Sequence, residues 1–88
     1  MANLIQISED EKGETYRVCY SFDCNAGYLT LGPCCLNSFA RDLIGLCKGK
    51  EVVYIKNVDS ECYRKLPKEK IGALEALLRR EVIKFNFI

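Results

Sequence analysis

Cysteine is the residue type best placed to do chemistry in this chain of 88 residues, which carries Cys19, Cys24, Cys34, Cys35, Cys47 and Cys62. Thiols offer three chemistries: cross-linking, metal binding and nucleophilic or redox reactivity. A tetrathiolate zinc site normally draws on two short Cys-x-x-Cys-like knuckles, because a short loop lets both sulfurs reach one tetrahedral ion. Here Cys19-x-x-x-x-Cys24 is a stretched knuckle across a strand end and a turn, and adjacent cysteines such as Cys34 and Cys35 tend to point apart. Cys47 falls on the apolar side of a predicted helix. No metal ligand set and no cofactor are therefore expected. Cys34, just before a predicted helix, is the candidate reactive thiol, since a helix N-terminus favours the thiolate.

Histidine is absent from the chain. Its absence removes Cys–His and Ser–His nucleophile pairs, mixed Cys/His zinc sites and the commonest general acid–base near neutral pH. The carboxylates Glu9, Asp10, Glu11 and Glu14 crowd a predicted turn, where solvation explains them. Lys48-Gly49-Lys50 falls at a helix C-terminus, the wrong end for a phosphate. No catalytic residue is assigned, and the chain is expected not to be an enzyme.

The remaining candidates are binding residues. Arg64, Lys65, Lys68 and Lys70 gather at the entry to a second helix, with Tyr63 beside them. Bases with an adjacent aromatic suit nucleic acid, although such modules usually carry a broader basic stripe. Net charge is +1 overall. Residues Met1 to Cys35 hold five acids and two bases, giving −3, while the remainder holds eleven bases and seven acids, giving +4. That polarity suggests orientation toward a partner.

A hydrophobic fraction of 49% with 28% charged residues is that of a folding chain rather than a disordered one. No repeat or linker interrupts it, so residues 1–88 are expected to form a single small α+β domain. The first residues lack the basic and apolar regions of a signal peptide, and no run suits a bilayer. A cytoplasmic location, reduced thiols and no membrane partner are the expectations.

Strands are predicted over Asn3–Ser8, over Tyr16–Asp23 and over Tyr28–Leu31, with Asp23–Gly27 as a hairpin loop. In the second, Tyr16, Val18, Tyr20 and Phe22 face one side and Arg17, Cys19, Ser21 and Asp23 the other. A helix follows from an Asn37 N-cap to Lys48, then a strand over Glu51–Val58 and a short helical turn from Asp59 or Ser60. Pro67 opens a second helix reaching about Arg80, and Ile83–Ile88 reads as a terminal strand. The order is β-β-β-α-β-α-β, in a mostly antiparallel or mixed sheet covered on one face by two helices.

Such a sheet leaves groups for docking. Tyr16, Tyr20, Phe85 and Phe87 are the candidate interface residues, and the terminal strand is a candidate edge for pairing. No motif points to a family. The first reading is a small non-enzymatic binding protein acting by protein–protein contact on a larger partner, or as a homodimer. Regulators, adaptors and inhibitors, including those carried by phages or mobile elements, have this character. Alternatives are a nucleic-acid-binding module using the Arg64–Lys70 cluster, and a small thiol-redox or structural zinc protein.

Overall fold

Alternating apolar residues generate the sheet, and two amphipathic segments supply its cover. The computed structural model describes residues 3–81 and 84–88. The elements are β1 (Asn3–Glu9), β2 (Tyr16–Ser21), β3 (Ala26–Leu31), α1 (Leu36–Cys47), β4 (Val53–Asn57), α2 (Lys68–Arg80) and β5 (Phe85–Phe87). They form a five-stranded mixed sheet of order β3-β2-β1-β4-β5. The β1–β2 and β2–β3 pairs are antiparallel, while β1–β4 and β4–β5 are parallel. Parallel neighbours need long crossovers, and α1 and α2 provide them.

The core lies between one sheet face and the helices. Ile5 and Ile7, Tyr16 and Val18, and Val53 and Ile55 are buried against Phe39 and Leu43 of α1 and Leu74 and Leu78 of α2. Tyr16 stacks flat on Phe39, with ring centroids 4.2 Å apart. Among the described residues no helix is long and apolar enough to cross a membrane.

Several boundaries differ from the sequence reading, each for a local reason. The helix α1 starts at Leu36 with Cys35 as its N-cap, and Asn37 lies inside it. The Cys35 carbonyl accepts the Phe39 N–H at 3.1 Å. Pro67 caps α2 from outside, its carbonyl accepting Lys70 and Ile71. The strand β3 starts at Ala26 because Phe22 N–H already closes on the Asn25 carbonyl at 2.8 Å. Gly27 then lets the Tyr20 ring lie over the strand, where a Cβ would sit 2.8 Å from the Tyr20 hydroxyl. The terminal strand is Phe85–Phe87, and Ile83 lies outside the described residues.

The expected helical turn after β4 is not there. The Asn57 amide instead holds the Leu66 backbone on both sides, at 2.8 Å each. Asp59 accepts the Lys65 N–H at 3.1 Å, and Glu61 adopts a φ of 45°. Side chains that capture backbone groups in this way compete with helix formation. Backbone bonds between Arg64 and Glu9, at 2.7 and 2.8 Å, pin the loop to the end of β1.

Register places three rows across the face without helices: Tyr28, Cys19, Gln6 and Lys56; Thr30, Arg17 and Ser8; and Ala26, Ser21, Leu4, Tyr54 and Asn86. Leaving β3, the chain turns through Gly32 at φ 128°, and Cys34 N–H reaches the Glu14 carbonyl at 2.9 Å. A Cβ on Gly32 would lie 2.7 Å from that carbonyl oxygen. Gly32→Ala should therefore cost about 1–3 kcal/mol. By contrast Gly45→Ala, with nothing within 4 Å of its Cβ, should be neutral or stabilise by up to about 1 kcal/mol. Urea midpoints of both variants check this, with the denaturant slope unchanged.

Candidate functional site

The basic cluster expected at the start of α2 is divided by Glu9. This carboxylate closes β1 on the helix side of the sheet, opposite Tyr16, and is 1% exposed. The Lys70 Nζ donates to Glu9 Oε1 at 2.7 Å, to the Gly13 carbonyl at 2.7 Å and to the Tyr16 hydroxyl at 3.0 Å. An ammonium has three protons, and all are engaged. Arg64 approaches Glu9 Oε2 at 3.4 Å. Lys65 and Lys68 stay exposed, whereas Tyr63 turns to the other side of the sheet, its ring 5.5 Å from the Arg17 guanidinium carbon. The predicted quartet with Tyr63 is therefore not one surface. Glu9 itself is no solvated turn residue, a correction that composition could not have supplied.

The predicted interface residues also lie on the covered side. Tyr16 is 1% exposed and enclosed by Phe39 and Lys70, so it is removed from the interface set. Tyr20, Phe85 and Phe87 are half-buried and pack against the core. They alternate with Arg17, Cys19 and Asn86 on the opposite face, and the helices cover the aromatic side. That leaves the other face to Tyr28 and Tyr54, which share it with Arg17, Lys56 and Cys19. Its signal was present in the polar half of the β2 alternation.

The thiols spread across the fold. Cys24, Cys35 and Cys62 are exposed, Cys19 and Cys34 half-buried, and Cys47 buried. Among the described residues no group of three or more His, Cys, Asp or Glu side chains is placed to hold a metal. The helix N-terminus favours a different thiol from the one expected. Burial, with the charges of Cys35 and Asp42 adding to it, pushes the Cys34 thiol above its ordinary value. The Ser38 hydroxyl, 3.6 Å from Cys35 Sγ, and then the Ser38 N–H pull Cys35 below it. Burial pushes Cys47 up to about 11. Cys35 occupies the N-cap, and Cys34 lies one residue too early to face the helix amides.

A groove between the helices is lined by Arg41, Ile44, Lys48, Leu77, Arg80 and Glu81. No protein-family model matches the chain, and no curated protein matches its sequence.

Two outcomes follow from these groupings. Lys70→Met should cost about 3 kcal/mol by leaving Glu9 buried and underpaired, and adding Glu9→Gln should restore part of that loss; a chemical-denaturation double-mutant cycle measures the coupling. Burial lowers the Lys70 pKa, but its bonds to Glu9 and Tyr16 outweigh this and raise it above 10.5. The stabilisation is accordingly full below pH 10.5 and fades as pH rises through the higher folded value. There the difference between the parent and Lys70→Met should shrink. Separately, iodoacetamide at pH 8 should label Cys35 before Cys34 and long before Cys47, with Ser38→Ala slowing the Cys35 phase; peptide mapping reads the order.

Proposed function

We propose that this chain is a non-enzymatic binding protein acting by protein–protein contact, a small regulator or adaptor, and that it pairs with a second copy of itself through β3. The observation that carries this reading is the character of that outer strand. Ala26-Gly-Tyr-Leu-Thr-Leu31 has no charge and no proline, and β3 is hydrogen-bonded on one side only. Natural edge strands are usually blunted by charge, proline, a bulge or brevity, because free backbone groups recruit other strands. At the other edge, β5 is short, with three residues. The exposed large hydrophobics among the described residues are Tyr28 at 64%, Leu29 at 37% and Ile88 at 65%. Two of them are neighbours on β3.

Antiparallel pairing of β3 with its copy is self-complementary about a two-fold axis normal to the sheet. Residues opposite each other share a face, so Tyr28 or Leu29 meets its own counterpart and the helices remain on one side. Backbone bonds and a few apolar side chains make a modest interface, at the low end of the size range for stable contacts. The support for a non-catalytic role is the lack of histidine and the engagement of Glu9, Arg64 and Lys70 with one another.

Light scattering across a dilution series tests this directly. The parent chain should move toward twice its monomer mass as concentration rises, and Leu29→Lys should remain monomeric with an unchanged circular-dichroism melt. A parent chain that stays monomeric at every concentration would remove the reading.

A further inference from the structure

The guanidinium of Arg17 lies close to two aromatic rings on the face opposite the helices, 4.9 Å from the Tyr28 centroid and 5.5 Å from that of Tyr63. No carboxylate pairs with it among the described residues. Its Nε is cut off from solvent without a hydrogen-bond partner, although buried polar groups nearly always find one. A cation set close to two rings and left without a counter-charge is a candidate receptor for an anion.

The surroundings narrow the anion. None of the three rows crossing this face carries a carboxylate, and Lys56 stands in the same row as Tyr28, about 14 Å away across three strand spacings. Tyr28 is the more exposed of the two rings at Arg17, and Tyr54 belongs to the adjoining row. The exposed acids Asp59 and Glu61 sit at the turn before Tyr63 and bound the face at that end. Cations alone would suit any polyanion. Cations set beside an exposed tyrosine, Tyr28, and a half-buried one, Tyr54, suit a polyanion that also presents flat apolar faces, which is a nucleic acid with unpaired bases. A duplex hides those faces, and the acidic side chains of a peptide have none to stack.

We infer that this helix-free sheet face binds single-stranded nucleic acid, with Arg17 and Lys56 on phosphates and Tyr28 and Tyr54 stacking on bases. This goes beyond the pairing of β3, which uses the strand's backbone edge and a few apolar side chains beside it, and does not require it.

The test is fluorescence anisotropy of a labelled oligothymidylate, and of the matching oligouridylate, each of about 15 nucleotides. The parent chain should bind at least one of them, less tightly as salt rises. Arg17→Gln and Tyr28→Ala should each weaken binding about ten-fold, while Lys68→Gln, remote from the face, should change it less than about two-fold. Tyr28 is exposed, so its variant keeps the proposal testable if Arg17→Gln proves unstable. Arg17 is one strand in from the edge, so its variant should leave the light-scattering mass unchanged, separating this outcome from failure of β3 pairing. Absence of binding at low salt would overturn the inference. So would equal affinity for duplex or heparin with no effect of Tyr28→Ala, or tighter binding of polyglutamate than of either oligonucleotide.

Discussion

Glu9 is almost wholly removed from water, yet its carboxylate oxygens are met by Lys70 from α2 and Arg64 from the preceding loop. The same lysine reaches the Gly13 carbonyl and the Tyr16 hydroxyl. One ammonium thus joins the end of β1, the turn into β2 and the start of α2. Burying a carboxylate is expensive unless every lone pair is answered. The turn Asp10–Thr15 supports that closure, with the Asp10 carboxylate accepting Glu14 and Thr15 amides at 3.0 and 3.3 Å. Elements far apart in sequence are held in one register by charge, where apolar packing alone would tolerate sliding.

That interaction also changes the meaning of the charge polarity. The acidic excess of the first thirty-five residues and the basic excess of the rest partly neutralise each other inside the molecule, through Glu9 with Arg64 and Lys70. A basic run in sequence is therefore not a basic surface in space. Lys65 and Lys68 keep their exposure, while the cations on the open face, Arg17 and Lys56, come from strands whose local sequence shows no basic enrichment.

Element order was readable because local period and tertiary burial agree. Ile5 and Ile7, and Tyr16 and Val18, alternate in sequence and are buried in the fold; the apolar stripe of α2 through Leu74 and Leu78 behaves likewise. What stayed hidden were choices made by distant partners. Nothing near Asp59 announces that Asn57 will hold Leu66, so a short helix looked equally good. The alternation in β2 separates Tyr16 and Tyr20 from Arg17 and Cys19, but an α+β pattern does not say which side the helices will cover. Cys34 and Cys35 differ by a single residue, and one residue decides which sulfur faces the helix amides.

Width explains why the sheet ends as it does. Adjacent packed helices lie about 8–10 Å apart, while strands are spaced about 4.8 Å, so a helix pair straddles about three strands. The buried strand residues follow that arithmetic: they come from β2, β1 and β4, and no β3 or β5 residue is fully buried. A third helix would be needed to seal β3 or to cover the second face, and the described residues contain two. The uncapped edge and the open tyrosine–arginine face are therefore consequences of one geometric shortfall. A sheet wider than its cover keeps polar backbone on one margin and aromatic side chains on one surface, and both are places where another molecule completes what the chain leaves open.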